Sequence, residues 1–124
     1  MKILKSNNNN VHFEHYEVYS DKEQVVGQWI DERPLYRKVI NWTGEMAVGN
    51  NSIPHGITNL DIVLNCRLVD TYPTSNKTQF IIPYLENDKS LFIFKVTKEA
   101  VTFLCNGEFW GERNWSLILE YTKK

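Results

Sequence analysis

The chain has 124 residues, with 14 Lys+Arg against 15 Asp+Glu and a formal charge of −1. This is one ordinary domain with little room for a second, and it lacks the basic excess or stripe of a nucleic-acid binder. Apolar residues at 42 % and aromatics at 13 % describe a globular chain, and no stretch approaches the roughly 18 apolar residues of a membrane span.

The opening Met1-Lys2-Ile3-Leu4-Lys5 is too short and too quickly polar to read as a secretion signal. Asn7 to Asn10 form a polar tract with no means of burying itself, so residues 1–18 read as an N-terminal tail or linker. Within it, Val11 to Tyr19 alternates weakly, enough for a short first strand. Compact sequence, and the expected domain, runs from 19 to 124.

Ser20 and Glu23 have capping-box spacing, but β-branched Val25 and Val26 and then Gly27 allow one helical turn at most. Val25 to Ile30 and Leu35 to Ile40 flank the polar Asp31-Glu32-Arg33-Pro34 and read as a hairpin, with Trp29 in the core. Ile62, Leu64, Cys66 and Leu68 alternate with Val63, Asn65, Arg67 and Val69, giving one buried and one wetter face. Pro73 to Lys77 is a turn cluster, and Pro83 demotes Gln79 to Ile82 to an edge strand or a strand end. Leu91 to Val96 is the strongest strand, turned by Thr97 to Ala100 into Val101 to Cys105. The last strand sets Trp115, Leu117, Leu119 and Tyr121 on one face. Helical periodicity is nearly absent, so the expected fold is all-β: an antiparallel, jelly-roll-like β-sandwich of seven or eight strands.

Reactive constellations are sparse. The glycines fall singly at turns, and there is no phosphate loop, Gly-x-Ser-x-Gly or Cys-x-x-Cys, so no cofactor is expected. Cys66 and Cys105 sit in apolar runs and read as two buried free thiols. The four Asn-x-Ser/Thr sites at Asn41, Asn50, Asn76 and Asn114 read as chance matches in an Asn-rich sequence. His12 and His15, three apart in a strand, would face opposite sides and cannot share a metal ion. His55, between Pro54 and Gly56, reads as a hydrogen-bonded loop histidine rather than a catalytic one. Glu108 and Glu112 flank one loop at a spacing that a glycosidase pair would need, but neither has an apolar pocket to raise its pKa, so an enzyme is not expected.

Aromatic residues carry more signal. Phe109-Trp110 lies in a polar loop bracketed by Gly107 and Gly111, and with Glu112 and Asn114 it forms a candidate sugar-stacking or protein-contact tip. The alternative is that Trp110 folds back to plug the end of the sandwich. Leu91 to Phe94 is apolar on both sides of a strand, as are Phe80 to Ile82 and Leu117 to Leu119. In a two-layer fold only alternate residues reach the core, so Phe92, Phe94, Ile81 and Ile118 are candidate contacts of a homo-oligomer.

The string Tyr19-Ser20, Glu23-x-Val25-Val26-Gly27-x-Trp29-Ile30-Asp31, Pro34-x-Tyr36 resembles a segment of phage and prophage tail-fibre, head-fibre and baseplate-appendage proteins. These are mostly from phages of low-GC Gram-positive hosts. Ile53 to Ile57, Asn114-Trp115-Ser116 and the ending Glu120 to Lys123 fit the same module, and the likeness spans 19 to 124. One departure is the hairpin turn, where related sequences tend to have Asp-Gly-Lys and this chain has Asp31-Glu32-Arg33. The resemblance implies a non-enzymatic C-terminal fibre domain, commonly a homotrimer, carried on a virion and often recognising a cell-surface polysaccharide or other receptor. Other virion proteins would join through the N-terminal segment. No nucleic acid and no membrane insertion are expected. A structural capping domain without a ligand is the alternative, and a carbohydrate-active enzyme or its accessory module a third reading.

Overall fold

The computed structural model describes residues 2–5, 11–15, 18–71, 79–107 and 112–124, with side chains from 18 onward except that of Phe94. Asn7 to Asn10, Glu108, Phe109 and Trp110 lie outside the described residues. Among those described there are ten strands and no helix. Strands β1 (Lys2–Lys5) and β2 (Val11–His15) pair antiparallel as a sheet of their own. The other eight are β3 (Gln24–Gln28), β4 (Pro34–Gly44), β5 (Gly49–Pro54), β6 (Leu60–Asp70), β7 (Tyr84–Glu86), β8 (Lys89–Val96), β9 (Ala100–Asn106) and β10 (Arg113–Lys123). They form two four-stranded antiparallel sheets, in the orders β3-β4-β10-β6 and β5-β9-β8-β7. Residues of both sheets meet in one buried cluster, an arrangement compatible with a sandwich.

The core follows from the period of two. Along β10, Trp115, Leu117, Leu119 and Tyr121 are each at most 1 % exposed, and each such side chain contributes roughly 1.5–3 kcal/mol on leaving water. Leu91, Val101, Phe103 and Cys105 face them from the second sheet, fully buried. The Trp42 and Phe103 rings meet across the sheets at 6.0 Å, and Tyr36 stacks on Tyr121 at 5.9 Å. Neither cysteine is in a disulfide; Cys105 is buried as expected, whereas Cys66 is only half-buried, and burial pushes its thiol up to about 11.

Four expectations change in detail. Glu120 pairs with Asn65 but Tyr121 with Val63, so Leu64 is the extra residue of a bulge. The bulge reverses the phase of β6, so Val63 packs on the core and Ile62 turns out at 44 % exposure, and a second register shift, opposite Tyr121 to Lys123, brings Leu60 to the core as well. Trp29 lies beyond β3, in the turn, half-buried and outside the core cluster. The register slips between Val25 and Gly27, pairing runs on to Gln28 opposite Pro34, and the Trp29 backbone closes the loop, its N–H donating to Arg33 O and its carbonyl accepting from Glu32 N. Phe80 to Ile82 forms no strand, only an isolated bridge from Ile81 to Val69. Ile118 is not an exposed contact: beside its register partner Val39 it is 8 % exposed within the single chain.

The other interface candidates divide. In β8, Leu91 and Ile93 pack on the core, so Phe92 lies on the outer face, beside Leu104. The Phe94 side chain lies outside the described residues. Ile81 stands 72 % exposed, and Leu85, one strand residue beyond Tyr84, stands 80 % exposed.

Candidate functional site

The candidate loop springs from the end of the molecule where β6 stops and β10 starts. Asp70 continues the inward phase of Cys66 and Leu68, so a carboxylate arrives on the buried side, with its side chain 0 % exposed. A carboxylate there needs a cation. Arg113, whose side chain is 10 % exposed, supplies it, with Nη1 donating to Asp70 Oδ2 at 2.6 Å. The Phe80 N–H donates to the same oxygen at 3.1 Å, and Gln79 Nε2 donates to the Asp70 carbonyl at 2.9 Å. The Arg113 guanidinium also lies 4.7 Å over the Phe80 ring, which meets Tyr84 edge-on at 4.8 Å. One ion pair thereby ties together the chain on either side of 72–78 and the chain leaving 108–111.

Asn114 belongs to the same base. Its carbonyl accepts from Thr71 N at 2.8 Å and Thr71 Oγ1 at 2.9 Å. Its side-chain Oδ1 accepts from Thr43 Oγ1 at 2.7 Å. Trp115, 1 % exposed, donates from Nε1 to the Gly44 carbonyl at 3.1 Å and roots the start of β10. The structure therefore sets Asn114 as a brace between three segments, half-buried, while Glu112 is exposed. Gly107 leaves β9 at φ 90°, a conformation glycine adopts without a Cβ clash.

Asp70, Phe80 and Tyr84 stand at the base of the candidate loop where the sequence reading does not place them, and the role of Arg113, close to the loop in sequence, is to pair with Asp70. A signal for Asp70 exists, since extending the alternation of Cys66 and Leu68 by one step lands on an acid and so calls for a buried partner. Nothing in the sequence names that partner as Arg113, 43 residues away.

The remaining titratable clusters are structural in their bonding. His55, 2 % exposed, accepts the Ile57 N–H at Nδ1 (3.0 Å) and reaches the Thr97 carbonyl from Nε2 (2.8 Å), which sets the ring proton on Nε2. This is the bonded loop histidine expected from the sequence. Glu23 receives Tyr121 Oη at 2.7 Å and Lys123 Nζ at 3.0 Å. Burial opposes its ionisation, but those two bonds and the Lys123 charge outweigh it and hold the carboxyl below its usual range. Burial and the Glu23 bond together raise the Tyr121 phenol. Glu120 is held low in the same way: burial resists, and Asn65 and Arg37 prevail. Among the described residues no group of three His, Cys, Asp or Glu side chains gathers as metal ligands would.

The chemistry of this end, among the described residues, is that of a brace. A frame built from two sheets holds two loop roots side by side with a buried ion pair. Compared with known proteins, the chain matches no family model, no curated protein and no solved structure.

Proposed function

We propose that this chain is a phage virion module, the tip of a fibre or appendage, that assembles as a homotrimer and attaches to a host cell-surface polysaccharide or other receptor. Its fold on this reading is a jelly-roll-like sandwich, and its loops at the Asp70–Arg113 end face outward. The observation that carries the proposal is the segment from Phe80 to Leu85. Phe80 and Tyr84 pack against each other, with Phe80 under Arg113, while Ile81 and Leu85 in the same short segment are 72 % and 80 % exposed. A rigid anchor that holds large apolar side chains in water is what a contact with sibling subunits requires. The resemblance of 19–124 to phage fibre and appendage domains supports the same reading. Trimeric display adds avidity, since three weak contacts on a repeating receptor act together.

A structural capping module without a ligand is the second reading, and one observation favours it. The Asn114 side-chain oxygen that a sugar hydroxyl would meet is already held by Thr43. Fluorescently labelled protein incubated with cells of candidate Gram-positive hosts separates the two. The attachment reading expects saturable binding that Trp110→Ala weakens. Unchanged binding by Trp110→Ala removes the loop from the site, and absence of binding to every host favours the capping role.

A further inference from the structure

We propose that Ile81 and Leu85 serve two different contacts between copies of this chain: the patch of Arg67, Val69 and Ile81 on one copy seats on the patch of Leu85, Phe92 and Leu104 on the next. The inference rests on the homotrimer reading and names the surfaces that close it. Though near in sequence, the two side chains face opposite sides of the sandwich. Leu68 is in the core at 3 % exposure, so Val69 faces outward, and Ile81, its partner in an antiparallel bridge, shares that outer face of the first sheet. Leu91 is fully buried, so Ser90 faces outward from the second sheet, and Leu85, its register partner, does the same. Ser90 itself is covered, its Oγ accepting from Asn106 Nδ2 at 3.2 Å. Phe92 follows Ser90 along that face, a diagonal neighbour of Leu85 at about 7–8 Å, with Leu104 beside it.

The place of the two patches argues for a second copy as the occupant. β6 and β7 are edge strands of their sheets, and residues 81–85 carry the chain from one to the other. Both patches therefore flank one side edge of the sandwich, on opposite sides of it. A two-fold pair lays one surface on its own counterpart, which covers one patch and leaves the other in water. A head-to-tail contact covers both patches in every copy and, where the rotation closes, gives a ring.

The charges agree with this pairing. Arg67 is exposed and makes no ion pair among the described residues. Its same-face neighbours are Asn65, Val69 and Ile118, and its charge also acts on Glu120, which Arg37 and Asn65 already hold. That face thus keeps one positive charge in sum. The turn from β7 to β8, beside Leu85, carries Glu86, Asp88 and Lys89, one negative charge in sum. Glu86 accepts from the Tyr84 hydroxyl, and exposed Asp88 makes no ion pair among the described residues. Lys95 stands at the far end of the second patch, opposite Thr102. Arg67 of one copy against Asp88 of the next sets unlike charges together at the end away from Lys95.

Light-scattering mass of the intact protein across a concentration series tests the pairing. Arg67→Asp and Asp88→Arg are each expected to raise the concentration needed for assembly about tenfold or more, since each sets like charges face to face. Both positions are exposed, so each chain keeps its fold, as circular dichroism checks. The double variant puts the unlike charges back in reverse and is expected to assemble as the parent does. Ile81→Glu is expected to dissociate the assembly although the Leu85 patch is intact. A trimeric parent whose double variant assembles no better than the single ones, or whose Ile81→Glu variant stays whole, overturns the pairing and keeps the trimer. A parent that is a single chain at every concentration overturns both.

Discussion

Asp70 and Arg113 show how one side chain governs another at long range in sequence. The Arg113 guanidinium is almost wholly out of water, so its charge depends on the carboxylate beside it. Asp70→Asn keeps the shape and removes the charge, and is expected to destabilise the fold by about 3 kcal/mol, the usual cost of breaking a buried ion pair from one side. Urea unfolding monitored by tryptophan fluorescence measures it. Glu23 supplies a pH signature. Its folded carboxyl lies below the ordinary value of 4.5, so its contribution is complete above that value and fades as pH falls through the folded one. Glu23→Gln is expected to cost about 1 kcal/mol at pH 7, because the site is partly exposed. It should also flatten the loss of stability between about pH 5 and 3, which urea midpoints across that range would show.

At the scale of elements, the hairpin between β3 and β4 carries backbone strain in its turn. Glu32 adopts φ 70°, a left-handed conformation that costs a non-glycine residue about 1 kcal/mol. Asp31 partly offsets this: its Oδ1 accepts the Arg33 N–H at 3.1 Å and its Oδ2 the Arg33 Nε–H at 2.7 Å. Glu32→Gly is expected to raise stability by about 0.5 kcal/mol, net of the unfolded-state entropy glycine adds, and thermal unfolding checks it. The turn illustrates what is legible. Its presence is readable from the polar run between two apolar ones, but its first residue is not, because the point where pairing stops, Gln28 opposite Pro34, depends on β4 as well as β3. The inner face of β10 is readable outright, since Trp115 to Tyr121 keep an unbroken period of two along their pairing with β4. In β6 the same rule fails on the N-terminal side of Asn65, because a bulge is a property of two strands and only one is visible in a local pattern. The candidate site divides likewise. Asn114 is legible as a polar residue at a loop root, but its bond to Thr43 joins positions 71 residues apart, and the clamp beneath it depends on which strand ends meet.

At the scale of the whole molecule, the apolar surplus of the sequence is only partly absorbed by one chain. Leu91, Ile93 and Ile118 find cover within it, whereas Ile81 and Leu85 do not. A single substitution at an exposed surface position ordinarily stays within about 0.5 kcal/mol, so monomer stability barely senses Leu85. Leu85→Glu is therefore expected to leave the fold of each chain intact while dissociating the proposed trimer, in which a charge buried between subunits would go without a partner. The light-scattering mass of the intact protein on a size-exclusion column at micromolar concentration tests the assembly directly. The expected mass is that of three chains of 14.6 kDa, falling to one for Leu85→Glu. A parent protein that elutes as a single chain would contradict trimeric assembly.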